Sequence, residues 1–115
     1  MNNNEFTQVM KRLQEYLKRE KTFVIDENRM DDLSRAVDIA NELFPDNTTE
    51  IKDDPLQMGA EIIHIEGIDI MARGVREINL FCEMLSLADN FEIYPVSEST
   101  IRLAAVFQNV LVKIN

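Results

Sequence analysis

Apolar side chains recur at helical spacing from the start of the chain. Phe6, Val9, Met10, Leu13, Tyr16 and Leu17 form one stripe over residues 5–20, and charged residues fill the other face. Such a stripe predicts an amphipathic helix with one buried side. The run Thr22-Phe23-Val24-Ile25 fits a buried linker or a short strand. Asp26 or Asn28 then offers a side-chain oxygen to cap a second helix, whose stripe is Met30, Leu33, Val37, Ala40, Leu43 and Phe44. Pro45 stops it, because the residue before a proline is pushed out of the helical region.

From residue 48 the period shortens toward two. Glu50-Ile51-Lys52 begins a strand that Asp53-Asp54-Pro55 ends. Next come Ile62-Ile63-His64-Ile65, Glu66-Gly67 and Ile68-Asp69-Ile70. A two-residue turn at Glu66-Gly67 would pair Ile65 with Ile68 and Ile63 with Ile70, all on one face, with His64 beside Asp69 on the other. This predicts a hairpin; a helix beginning near Asp69 is the rival. Val75, Ile78, Phe81, Cys82, Leu85 and Ala88 mark a third helix over residues 75–89. Residues 91–96 read as a strand, and Pro95 places it at a sheet edge or a strand end. Ile101, Leu103, Ala105 and Phe107 alternate along another, and Val110, Val112 and Ile114 continue either a tight hairpin or one long bulged strand. Ala104, Val106 and Leu111 make the opposite face apolar too, which calls for cover on both sides. The first two helices or a second copy of the chain would supply it.

The expected fold is α+β, in the order α-α-β-β-β-α-β-β-β. Two N-terminal helices precede an antiparallel or mixed sheet of five to six strands, interrupted by one helix. At 115 residues the chain reads as one domain, residues 1–115, with a helical pair at 5–44 and a sheet-forming part at 48–115. The helix–three strands–helix–two strands order within this plan, which covers part of the chain, resembles the type III secretion chaperones together with the small size and acidity. The resemblance is one of topology, without a residue motif, and it implies a chaperone-like binder of other proteins.

Charge changes the picture more than composition does. The net charge of −9 is uneven: residues 1–25 carry +2, residues 26–69 carry −10 and residues 70–115 carry −1. A concentrated negative field repels nucleic acid and anionic membrane and attracts basic surfaces. Neither nucleic acid nor membrane is therefore an expected partner. Asp46, Glu50, Asp53 and Asp54 are the candidate partner-binding residues. Lys11, Arg12, Lys18, Arg19 and Lys21 on the first helix alternate with Glu15 and Glu20, which reads as a solvated face. A single cysteine and a start without a basic, apolar leader point to the cytoplasm.

Catalytic chemistry finds little support. The one histidine, His64, forms with Asp69 a candidate ligand cleft, though a surface cross-strand pair explains both residues more simply. Cys82 falls on or beside the apolar stripe of the third helix, and Glu77 and Glu83 nearby would raise a thiol pKa rather than lower it. The acids lack the glycine and glutamate spacing of a calcium loop. No catalytic residue, cofactor or metal site is expected, and the balance leans away from an enzyme. The leading reading is a non-catalytic acidic adaptor, homodimeric, that recognises a basic or partly apolar protein. A small ligand-binding domain or enzyme using His64 and Asp69 is one alternative. An acidic inhibitor that mimics nucleic-acid charge is another.

Overall fold

Each apolar stripe finds a partner, and the pairing fixes the architecture. The computed structural model describes residues 3–19, 23–47, 49–69 and 74–113. Its elements are α1 (Asn3–Arg19), β1 (Phe23–Ile25), α2 (Glu27–Leu43), β2 (Thr49–Asp53), β3 (Glu61–Asp69), α3 (Val75–Leu87), β4 (Asn90–Pro95), β5 (Thr100–Phe107) and β6 (Leu111–Lys113). The fold is α+β, with three helices and six strands among the described residues. The ambiguous run at residues 23–25 is a strand. It adds β1 between the first two helices.

Helix α2 forms because its ends are satisfied and its face is apolar. The Asp26 carboxylate accepts from the Arg29 backbone N–H at 3.1 Å, and the Phe44 N–H closes the other end on the Ala40 carbonyl at 2.8 Å. Met30, Leu33, Ala36, Val37, Ile39, Ala40 and Leu43 are buried along it. Each large apolar side chain so buried contributes about 1.5–3 kcal/mol relative to exposure. Helix α1 buries Val9 and Leu13 and packs across β1 and β2.

Four strands form one antiparallel sheet in the order β2-β3-β5-β4, and β1 pairs with β6 in a second, two-stranded sheet. Ile63, Ile65, Ile68, Leu103, Ala105 and Phe107 occupy the inner face and are buried. On that face the ladder places Ile51 and Phe91 in the row of Ile63 and Ala105.

The hairpin expected at Glu66-Gly67 does not form. Residues 61–69 make one strand, paired with β2 on one side and β5 on the other. Glu66 and Gly67 together face Arg102, so the pair is a β-bulge, and Gly67 takes the positive φ of 70° that the bulge needs. A bulge shifts the alternation by one residue, just as a turn reverses it. Ile63, Ile65 and Ile68 therefore share a face in either arrangement. Ile70, the other predicted partner, lies outside the described residues.

The end of the sheet also departs from both readings of residues 100–114. β5 stops at Phe107, Asn109 turns with a φ of 59°, and β6 leaves the large sheet to pair with β1. The Gly59 carbonyl accepts from the Val110 N–H at 2.8 Å and the Leu111 N–H at 3.1 Å, which holds this exit in place.

Candidate interaction surface

Strand β4 is the edge of the large sheet, and all six of its residues are exposed. It carries Glu92 and Pro95, residues that blunt an edge, beside the apolar Phe91, Ile93 and Tyr94. Phe91 is 45% and Ile93 43% exposed, although both stand on the inner face, opposite Ala105 and Leu103. The helical layer does not reach over them. Tyr94, on the outer face, donates its hydroxyl to Glu92, and Val96 continues the exposed apolar run.

Helix α3 also exposes apolar side chains, and its ion pairs show which way it faces. Arg35 Nε lies 2.8 Å from Glu83 Oε2, and Arg76 pairs with Glu42, so residues 76 and 83 mark the flank that faces α2. Phe44 and Phe81 meet edge to face at 6.0 Å, and Met84 is fully buried. At 100° per residue, Val75, Ile78 and Cys82 then fall roughly opposite Met84, on the side turned to solvent. Val75 is 76% and Ile78 50% exposed. The predicted stripe of α3 is thus corrected. Its true centre is Met84, with Leu80, Phe81, Leu85, Leu87 and Ala88 packed around the core. Cys82 is a free, exposed thiol rather than a buried hydrophobe.

The expected acidic contact residues stand around β2, at the opposite edge. Asp46 is exposed. Glu50 lies 3.2 Å from Lys52 Nζ, and Asp54 accepts from the Leu56 N–H at 2.9 Å. Asp53 Oδ1 sits 2.9 Å from Arg12 Nε. Three of the four acids are thus occupied within the chain. The expected His64/Asp69 pair is not brought together. His64 stands between Glu50 and Ala104 in the ladder, with its Nε2 3.6 Å from Glu66, whereas Asp69 lies opposite Thr100. With both residues on one strand and no hairpin to fold them together, they form no cleft.

One acid missed by the sequence reading is chemically unusual. Glu61 is 1% exposed, beneath α1, and pairs with the Arg12 guanidinium. Burial raises its carboxyl to about 7, with the neighbouring Asp53 adding to the rise and Arg12 opposing it. Arg12, Tyr16, Gln57, Met58 and Glu61 help line a cavity of about 430 Å³. The sequence held a signal for this: Glu61 has the parity of Ile63 and Ile65, and Arg12 adjoins the stripe of Val9 and Leu13. Among the described residues no three His, Cys, Asp or Glu side chains converge as metal ligands. No described helix is long and apolar enough to cross a membrane.

No protein-family model, curated protein or solved structure matches the chain.

Proposed function

We propose that the chain is a non-catalytic protein-binding domain of adaptor type, works as a homodimer in the cytoplasm, and recognises a basic or partly apolar protein partner. The observation that carries this reading is the exposed apolar edge at β4, where Phe91, Ile93, Tyr94 and Val96 all face solvent. Exposed apolar surface of this kind marks interaction sites. The basic partner is argued from the charge of −10 over residues 26–69, where Asp46 and Glu50 remain accessible. The cytoplasmic assignment rests on an exposed free thiol, Cys82, which suits a reducing compartment.

Sedimentation at tens of micromolar protein, in low and in high salt, tests the homodimer. Apolar burial is insensitive to ionic strength, so a dimer is expected in both buffers. A monomer in both overturns the reading. Binding of a lysine-rich probe peptide tests the charge part: it should weaken as salt rises and weaken further in Asp46→Lys/Glu50→Lys. Asp53 and Asp54 are poor choices for that test, because their carboxylates hold Arg12 and the loop after β2.

A second reading, small-ligand binding, is favoured by the cavity beside Glu61 and Arg12 rather than by His64 and Asp69. Native mass spectrometry of the purified chain separates the two readings, since a bound small molecule would add a discrete mass to the protomer.

A further inference from the structure

We infer that the homodimer forms by antiparallel pairing of β4 with β4 of a second copy, centred on Ile93. The inference rests on the homodimer reading above and specifies its edge and register.

The backbone defines which groups are free. The Val96 N–H donates to the Thr100 carbonyl at 2.9 Å, so Val96 and Thr100 form a hydrogen-bonded pair. Hydrogen-bonded and non-hydrogen-bonded pairs alternate along an antiparallel ladder. Asn90, Glu92 and Tyr94 therefore turn their backbone groups toward β5, and Phe91, Ile93 and Pro95 turn theirs toward the open edge. Two details agree. The Phe91 N–H is met by the side chain of its own neighbour, Asn90, at 3.0 Å. Pro95, which has no N–H, stands where that absence costs no ladder bond.

An isologous pair must match odd residues with odd residues, which leaves few registers. With Ile93 opposite the partner's Ile93, the two exchange both hydrogen bonds. The Phe91 N–H then reaches the partner's Pro95 carbonyl, twice by symmetry, and releases Asn90. The proline falls where no donor is needed. Glu92 comes opposite the partner's Tyr94, whose hydroxyl already donates to a Glu92 carboxylate within one chain, and Arg102 flanks that tyrosine on β5. Moving the centre to Glu92 would set two carboxylates directly opposite each other, which is destabilising. Moving it to Tyr94 keeps only the bonds between Ile93 and Pro95. A centre at Phe91 would set Ile93 opposite Asp89, which lies outside β4 and whose N–H already donates to the Val106 carbonyl at 2.9 Å, so the register centred on Ile93 keeps the most bonds within the two strands.

The two-fold axis would run perpendicular to the sheet and place both helical layers on the same side. Phe91, Ile93 and Pro95 of the two copies would then form one apolar row across the seam. The result is one continuous sheet of eight strands.

The test uses a Cys82→Ser background. Residues 92 and 94 of opposite copies would form a non-hydrogen-bonded pair, with Cα atoms about 4.5 Å apart. That separation suits a disulfide, whereas one beyond about 7 Å does not. A mixture of Glu92→Cys and Tyr94→Cys chains should form the mixed disulfide on mild oxidation, and Glu92→Cys alone should not cross-link. Rapid cross-linking of Glu92→Cys alone in a dimer overturns the register but leaves the homodimer reading intact. Ile93→Lys, at an exposed position, should keep the far-ultraviolet spectrum and sediment as a monomer. A dimer that survives Ile93→Lys places the interface elsewhere. A wild-type monomer removes the homodimer reading itself.

Discussion

Two side chains show how much of this fold depends on polar groups in special places. Glu61 sits on the buried face of β3 with its carboxyl raised to about 7. Between pH 4.5 and 7 the native chain holds a proton that the unfolded chain releases. The stabilisation from this group is therefore complete below about pH 4.5 and is lost as pH rises through 7. The shift corresponds to roughly 3 kcal/mol. Glu61→Gln removes the titration, so the stability difference between variant and wild type should change in the variant's favour from pH 4.5 to pH 8. Urea unfolding at both pH values measures it; an unchanged difference would place the carboxyl at its ordinary value. Arg29 is the second case. Its guanidinium bonds Asp32 at 2.7 Å, Asp89, the Leu87 carbonyl at 3.3 Å and, through Nε, the Gln108 carbonyl at 3.1 Å. It also lies 5.7 Å from the ring centroid of Phe107. One side chain thus joins the start of α2, the end of α3 and the end of β5. Arg29→Met keeps the apolar stem but strands those acceptors, and should lower unfolding free energy by about 3 kcal/mol.

Among elements, β3 and the loop before it are the most constrained. Gly59 has a φ of 84°, and a Cβ there would meet the Leu111 carbonyl oxygen at 2.6 Å. Gly59→Ala should cost about 2 kcal/mol or more, read as a lower urea midpoint, because both the backbone region and the space forbid it. Ile65 is fully buried on the inner face of β3, whereas His64 points outward between Glu50 and Ala104. Ile65→Asp should therefore lower stability by about 4 kcal/mol or more, and His64→Asp by about 1 kcal/mol or less, in thermal or urea unfolding. Equal effects would contradict the alternation along β3. The amphipathic periods located all three helices, and alternation located β5 and the inward set of isoleucines. The hairpin misreading came from a true ambiguity. A turn and a bulge at Glu66-Gly67 give the same inward set, and only partners distant in sequence, β2 and β5, decide between them. Helix α3 misled for a related reason. Val75, Ile78 and Cys82 keep helical period with Phe81 and Leu85, so a window of sequence cannot tell a core face from an apolar flank left in solvent. The pairing of His64 with Asp69 failed together with the hairpin that implied it, and Glu61 escapes notice because a carboxylate is ordinarily a surface group, despite its parity with Ile63 and Ile65.

At the scale of the whole molecule, charge and apolar surface occupy opposite edges of one sheet, with acids around β2 and apolar side chains on β4. Under the proposed function the two contacts are therefore separable. High salt should weaken the lysine-rich probe without dissolving the dimer, and Ile93→Lys should do the reverse, as read by sedimentation and by probe titration in parallel. The small sheet bears on something else, the order of events during synthesis. Phe23, Val24 and Ile25 pair with Lys113, Val112 and Leu111, so a strand made early takes its partner from residues made some ninety positions later. Loop closure over that span is costly in entropy and slow. Helix α2 can form as soon as Asp26 and its first turns leave the ribosome, but β1 must wait while α1, already synthesised, carries its apolar stripe uncovered. A nascent chain halted before residue 111 should accordingly be cut by protease within β1, at Phe23–Ile25. The same chain extended past residue 113 and clear of the exit tunnel should resist cleavage there.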